Sequence, residues 1–456
     1  MKINSMMILC KVVDNFGDIG VLYRLAKAVS DLRPQLELAL VVSNLESFKS
    51  MAKDVNPSKD IQEFHYKDSV WKVVKWDLEN CTPDKNFVIK ADNLELNIAD
   101  YPVIIEGFQC GRPDWLENSI FSEAFTNPVQ ILNLDYLTAE EYADDFHLLR
   151  SGTRKTNIKK RFFMPGFTEK TGGLIFSKGG GSLPLAPKQS FSATPSAGSN
   201  ATRKARSFLG LDFNTRSFLG VEVNTCSVFN ISFFSYERNC VPIVQAIQEF
   251  QDEMQRKDKN FSVCVNLASG KGHDPFMKAY EAAGKPFKVL ELPFLQQEEW
   301  DYLLTQMNFN FIRGEDSLSR AALSGIPYVW HAYIQDEDYQ LVKVNALLDR
   351  MEVFFDEEQF RVLKEYWNSY NKSTAENFAL GIVAETPQRS EELQQEPGGA
   401  PLRCEATPKE LLKKLLHYSA LKESGFTESF RKFSEKLISN GNLAQHLLDF
   451  IDKLEM

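Results

Sequence analysis

Residues 6–32 read MMILCKVVDNFGDIGVLYRLAKAVSDL, and the order of residue types within them sets the fold class. The apolar run 6–13 suits a buried parallel strand, after which Ile19, Leu22, Leu25, Ala26, Val29 and Leu32 recur at helical spacing. The turn between them carries Asp14, Asn15, Phe16, Gly17, Asp18 and Gly20. A strand, a polar loop and a helix in that order form the opening unit of an α/β domain. Gly17 and Gly20 let backbone come close to a ligand, and the helix start offers free N–H groups. The loop is not a GxGxxG loop, however, and its carboxylates are ill placed for phosphate. Asp18 can equally cap the helix. Asp14 follows the strand directly, and two carboxylates in one loop repel unless a cation sits between them.

The same alternation continues. LELALVVSN (36–44), YPVIIEGF (101–108) and VQILNLDYL (129–137) read as further strands separated by helix-capable segments, which implies right-handed crossovers and a parallel sheet. A second alternating region holds SVFNISFFSYE (227–237), FSVCVNLASG (261–270), KVLELPF (288–294) and NFNFIRGEDSLSRAALSGIPYVWHAY (308–333). The domain plan is therefore a first α/β domain over 1–176 and a second over 226–350. Between them, 177–225 is rich in Gly, Ser and Pro, reads as a flexible insertion, and ends in a near-direct repeat, RSFLGLDFNT (206–215) and RSFLGVEVNT (216–225). A helical tail over 351–456 is interrupted by a polar loop at 389–408, and its last helices, 409–421 and 427–454, are expected to pack back on the N-terminal domain.

A chain of 456 residues has room for two or three domains, and 43% hydrophobic content with 34 phenylalanines describes a globular protein with an aromatic core. A net charge of −10 argues against nucleic acid or an anionic membrane as partner. No apolar run reaches the roughly 18–20 residues of a membrane helix, and the opening residues read as a strand, which places the protein in the cytoplasm. The seven cysteines contain no CxxC pair and the six histidines no HxxxH or HxH pair. Buried reduced thiols and no protein-held metal are expected.

Two open α/β sheets bind ligands at the carboxyl ends of their strands, most naturally in the cleft between them. The second loop there, Arg313-Gly314-Glu315-Asp316-Ser317, lies between a strand and a helix. Asp316 or Ser317 can cap that helix, while Arg313 and the helix N-terminus suit a diphosphate. A carboxylate such as Glu315 is then better used on sugar hydroxyls. Phe234 and Tyr236, two apart on a strand, share a face and either fill the core or sandwich a nucleobase whose edge is read near Phe294, in a run that also holds Gln297. His331, ending an apolar strand, reads as a satisfied histidine at the cleft edge.

VVDNFGDIGVLYRLA (12–26), NLDYLTAEEY (133–142), FFMPGFTEKTGGL (162–174), NISFFSYE (230–237), LPFLQQEEWDYLL (292–304), NFIRGEDSLSRA (310–321) and PYVWHAYIQDEDYQLVKV (327–344) together resemble the protein-arginine rhamnosyltransferases of elongation factor P, the EarP family. The resemblance implies a GT-B glycosyltransferase with two Rossmann-like domains facing a central cleft. It implies inverting transfer of L-rhamnose from dTDP-β-L-rhamnose to an arginine of elongation factor P, which serves polyproline translation, with no cofactor or metal. Asp14 and Asp18 fall on the family's essential aspartates and Glu315 on its essential glutamate. Phe234, Tyr236, Phe294, Gln297, Arg313, Asp316 and Ser317 fall on its donor-nucleotide pocket, and Asn15, Phe16 and Gly17 are assigned to donor binding beside them. A cationic acceptor would explain the paired aspartates: a guanidinium is a poor nucleophile until a carboxylate holds it and accepts its proton. In that scheme Asp18 is the general base and Asp14 orients the acceptor. Another nucleotide-sugar GT-B enzyme, a non-catalytic elongation-factor-binding module and a two-domain binding protein are the alternatives.

Overall fold

The computed structural model describes residues 3–13, 16–78, 81–176, 228–374, 377 and 406–454, together with two short strands at 217–218 and 221–222. Asp14 and Asn15 lie outside the described residues. So do the expectations of a flexible insertion at 177–225, those two strands apart, and of a loop at 389–408, of which only 406–408 are described.

The N-terminal domain runs β1 (Ser5–Cys10), α1 (Gly17–Leu32), β2 (Glu37–Val42), α2 (Leu45–Met51), β3 (Ile61–Tyr66), β4 (Ser69–Lys75), β5 (Val88–Ala91), β6 (Leu94–Asn97), β7 (Val103–Gly107), α3 (Asp114–Ile120), β8 (Val129–Leu134), α4 (Tyr142–Phe146), β9 (Arg150–Ser151) and β10 (Ile158–Phe163). Its main sheet has the order β3-β4-β2-β1-β7-β8-β10-β9. β1, β2, β4, β7, β8 and β10 pair in parallel, and only the edge strands β3 and β9 are antiparallel. β1 and β8 are buried at every position, as parallel strands covered on both faces must be, which is why they are largely apolar in the sequence, and in β8 even Gln130 and Asn133 are buried. α1 buries Ile19, Leu22, Leu25, Ala26 and Val29 and ends one residue before Arg33-Pro34.

After the short antiparallel pair β11 (Ser217–Phe218) and β12 (Val221–Glu222), the C-terminal domain runs β13 (Val228–Phe233), α5 (Val241–Gln255), β14 (Ser262–Leu267), α6 (His273–Ala282), β15 (Lys288–Glu291), α7 (Gln297–Gln306), β16 (Phe309–Arg313), α8 (Glu315–Ser324), β17 (Tyr328–His331) and α9 (Gln340–Met351). Its sheet is wholly parallel in the order β15-β14-β13-β16-β17. In both domains the strand order reverses beside the first strand, between β1 and β7 and between β13 and β16, and an α/β sheet opens a ligand crevice at that switch.

The tail holds α10 (Glu357–Asn371), α11 (Pro408–Ala420), α12 (Phe426–Ser439) and α13 (Leu443–Asp452). The single helix expected over 427–454 is in fact two, broken at Asn440-Gly441-Asn442, where Gly441 takes φ 102° and Asn442 caps the last helix through its side chain. The tail also divides between the domains rather than returning to one. α11 packs on α5 and α10, and α12 on α8, whereas α13 packs on α1 and contributes Leu443, Ala444, Leu447, Leu448 and Ile451 to the N-terminal core. At the break, Leu443 N–H donates to the Leu174 carbonyl and Asn440 Nδ2 to the Phe167 carbonyl, so the segment PGFTEKTGGL is a seat for the tail.

Candidate active site

The loops after β1, β7, β8, β13 and β16 meet where the two switch points face each other. On the N-terminal side, Asp18 is buried at the second position of α1. It does not cap that helix: the N-cap is Phe16, without a side-chain cap, and the Asp18 carboxylate turns back to accept from Val13 N–H at 2.8 Å. The Tyr136 hydroxyl lies 3.4 Å from its other oxygen. Asp135, beside Tyr136, accepts from Gln109 Nε2 at 3.0 Å.

Glu315 opens α8 across the cleft. Its Oε2 accepts from Leu137 N–H of the N-terminal domain at 3.1 Å. Burial, with Asp18 and Asp135 nearby, pushes its carboxyl up to about 7 against the pull of Lys343 and of that N–H. Asp18, Asp135 and Glu315 thus make one acidic face drawn from both domains.

The RGEDS loop corrects the capping expectation. The N-cap of α8 is Gly314, at φ 73° and ψ 168°, and no side chain caps it, so neither Asp316 nor Ser317 has that role. The first N–H groups of α8 are left for a ligand. Arg313 stands beside them with its guanidinium 4.5 Å from the Phe234 ring centroid and 4.7 Å from that of Tyr236. Its buried Nε has no hydrogen-bond partner, and among the described residues no carboxylate pairs with it. Phe234 and Tyr236 share a face, but not as members of a strand: β13 ends at Phe233, and the two rings leave the loop to clasp Arg313. A Cβ on Gly270, in the loop after β14, would make only ordinary contact at 3.5 Å with Arg313 Nη2 and Phe234 Cε2, and it is the φ of 142° that favours glycine beside this group.

Two residues assigned to the donor have polar partners across the cleft. Asp316 pairs with Arg24 of α1, Nε to Oδ1 at 2.8 Å and Nη2 to Oδ2 at 2.9 Å. The same guanidinium holds Asp301 of α7, Nη1 to Oδ2 at 2.6 Å and Nη2 to Oδ1 at 3.1 Å. Gln297 donates to the Gly20 carbonyl at 2.8 Å and accepts from Lys27 at 2.8 Å, and Lys27 also reaches Glu298. Burial works to raise the Asp316 carboxyl, but Arg24 and Arg320 hold it below the usual range. Burial likewise lowers the Arg320 guanidinium, to about 10, and its Nη1 has no partner. These contacts fasten the first turn of α8 to α1. Ser317 Oγ accepts from Trp300 Nε1 at 3.2 Å, and Trp300 meets Phe234 edge to face. Phe294 and Phe16 pair across the cleft mouth at 5.9 Å between centroids; Gly17 follows as the first residue of α1.

His331 is buried at the end of β17. Its Nδ1 lies 2.8 Å from Ser235 Oγ, which in turn lies 2.9 Å from the Tyr370 hydroxyl. Burial, with Arg238 and Arg313 nearby, holds this imidazole well below its ordinary value, so it is a neutral strut behind Tyr236. A cavity of about 500 Å³ lies elsewhere, between Trp76, Asp84 and Trp115, and holds none of these residues. Beneath Glu315 only about 40 Å³ remains between the domains.

Arg24, Lys27, Asp301, Phe108 and Tyr136 were not singled out in the sequence. For the first two the signal is present: they are the only charged side chains in the otherwise apolar stretch 19–29 of α1, three apart, and the structure buries both. Among the described residues no group of His, Cys, Asp and Glu is placed to hold a metal, and no helix is long and apolar enough to cross a membrane.

Comparison with known proteins bears on the same regions. The family described as "Elongation-Factor P (EF-P) rhamnosyltransferase EarP" matches residues 6–452. A protein-arginine rhamnosyltransferase of Shewanella oneidensis is 29% identical over 390 residues, covering 80% of this chain and 89% of its own. One of Pseudomonas putida is 29% identical over 371 residues, covering 80% and 86%. A solved structure described as "Structural basis for EarP-mediated arginine glycosylation of translation elongation factor EF-P" superposes with a TM-score of 0.50 at 17% identity, over 99% of both chains. The fold is that of a GT-B glycosyltransferase, and with a family match over nearly its whole length the chain belongs to the EarP family of rhamnosyltransferases.

Proposed function

We propose that this enzyme transfers L-rhamnose from dTDP-β-L-rhamnose to one arginine side chain of elongation factor P, with inversion at the anomeric carbon. The observation that carries the reading is the split of charge across the cleft. Asp18 and Asp135 present carboxylates from the N-terminal domain, while across the cleft Arg313, which pairs with no carboxylate among the described residues, and the uncapped start of α8 present a cation and free N–H groups. A cationic acceptor and an anionic leaving group are the substrates this division fits.

In this scheme a guanidinium nitrogen attacks the sugar's anomeric carbon as the bond to the nucleoside diphosphate breaks. Asp18 accepts the proton that the nitrogen loses as bond formation acidifies it. Asp14 orients the guanidinium. Charge gathering on the departing diphosphate is met by Arg313 and the α8 N-terminus, with no metal called on. Phe234 and Tyr236 bound the nucleotide pocket, and Phe294, Phe16, Gln297, Asp316 and Ser317 form its cross-domain wall.

Intact-mass measurement of elongation factor P incubated with dTDP-β-L-rhamnose and the enzyme tests the proposal. A gain of one deoxyhexose is expected, lost with Asp18→Asn while donor binding persists. No gain with the parent enzyme, or full activity of the variant, would refute it.

A further inference from the structure

The acidic face explains how a cation is drawn to the cleft but not how a planar guanidinium is distinguished from a compact ammonium, and the structure holds a group suited to that task. The Tyr136 ring lies on that of Phe108 with centroids 4.4 Å apart and planes at 17°. One face is thus covered, while Tyr136 remains 42% exposed and, among the described residues, no ring packs on its other face. Its hydroxyl stands 3.4 Å from Asp18 Oδ1, and the next residue, Leu137, donates to Glu315.

The stack is held in a backbone that L residues rarely adopt. Phe108 and Gln109 take φ 56° and 55°, and neither is glycine. Buried Asn133 pins the turn by accepting from Gln109 N–H at 3.0 Å, and Phe108 N–H donates to the Leu134 carbonyl at 2.6 Å. Consecutive residues held in this region cost energy that the surroundings must repay, and such turns gather at sites of function. Here the turn sits at the β1/β7 switch point and backs Tyr136 with a second ring.

We infer that the open face of Tyr136, backed by Phe108, is the platform on which the acceptor guanidinium stacks, with its in-plane N–H groups directed at Asp18. A guanidinium is planar, weakly hydrated and stacks on aromatic faces; an ammonium does so less well. Stacking would also fix the plane of the nucleophile, leaving one nitrogen turned toward the donor side. Tyr136 is therefore an acceptor-binding residue that selects arginine over lysine. This rests on the proposed function, since it takes the acceptor to be an arginine.

The test compares Tyr136→Leu, Tyr136→Phe and Tyr136→Trp with the parent enzyme, elongation factor P being the acceptor. Parent turnover must first be seen by intact mass; its absence defeats the proposed function rather than the platform. With turnover established, Tyr136→Leu should raise the acceptor KM roughly tenfold, a size within the range of such stacks, with dTDP affinity unchanged. Tyr136→Phe should stay within about threefold of the parent. Tyr136→Trp should retain activity and change its fluorescence when acceptor binds, which keeps the test open should the leucine variant not fold. An unchanged acceptor KM in a folded leucine variant, or a fluorescence that acceptor leaves unmoved, overturns the inference. So does a phenylalanine variant as poor as leucine, which would make the hydroxyl the working part. A rise in donor rather than acceptor KM would assign the ring to the sugar and equally overturn it.

Discussion

Arg24 of α1 and Asp316 of α8 belong to different domains and meet in a two-pronged ion pair at 2.8 and 2.9 Å. Arg24 is only 6% exposed and also carries Asp301, so its removal would strand one buried and one partly buried carboxylate. Arg24→Met should therefore cost about 3–5 kcal/mol and reduce turnover, because α8 then loses its hold on the acceptor-side domain. Adding Asp301→Leu should restore part of the stability. Thermal unfolding of the single and double variants checks this; equal midpoints for parent and Arg24→Met would contradict it.

Glu315 yields a pH prediction with a definite sign. Its carboxyl is raised from 4.5 to about 7, so folding favours its protonated form. The stability it adds is complete below about 4.5 and is lost as pH rises through about 7. That gap corresponds to roughly 3 kcal/mol at most. Glu315→Gln, which keeps an acceptor for Leu137, should melt several degrees above the parent at pH 8 and match it at pH 5. A difference independent of pH would show that burial of the charge is not its source.

Arg313 should matter for donor binding far more than for stability, since it has no carboxylate partner to abandon among the described residues. Arg313→Ala is expected to weaken dTDP binding tenfold or more, and Arg313→Lys should not recover it, because a point charge cannot lie flat between Phe234 and Tyr236. Titration calorimetry with dTDP decides between these outcomes.

Gly314 offers a backbone test of the same loop. A Cβ there meets nothing within 4 Å, so Gly314→Ala would be penalised by its backbone conformation alone, φ 73° and ψ 168°, by about 1–3 kcal/mol. The variant should fold, with donor affinity falling as the α8 N–H groups lose their aim. Undiminished affinity would place the diphosphate elsewhere.

The β1–α1 and β16–α8 units could be read from the chain because strands buried on both faces leave short, largely apolar runs, and their loops follow at once. The β3–β4 pair was passed over. IQEFHY mixes buried and exposed positions at the sheet edge, and its apolar signal is diluted. Asp18, Glu315 and Arg313 could be chosen as polar residues after strands, whereas the Arg24–Asp316 pair could not. Its partners are 292 positions apart and meet only when two separately folded sheets face each other. Tyr136 escaped for a different reason: its aromatic ring reads as core until the Phe108 stack leaves one face uncovered.

The course of the tail has a topological consequence. The chain leaves the N-terminal domain after Phe176, builds the second domain, and crosses back between α12 and α13 to enter the first core again. The halves are thus laced twice, and the second lacing runs behind the very helices, α1 and α8, whose starts face the cleft. Cleft geometry is then set at the return crossing, where α13 is bound into the N-terminal core.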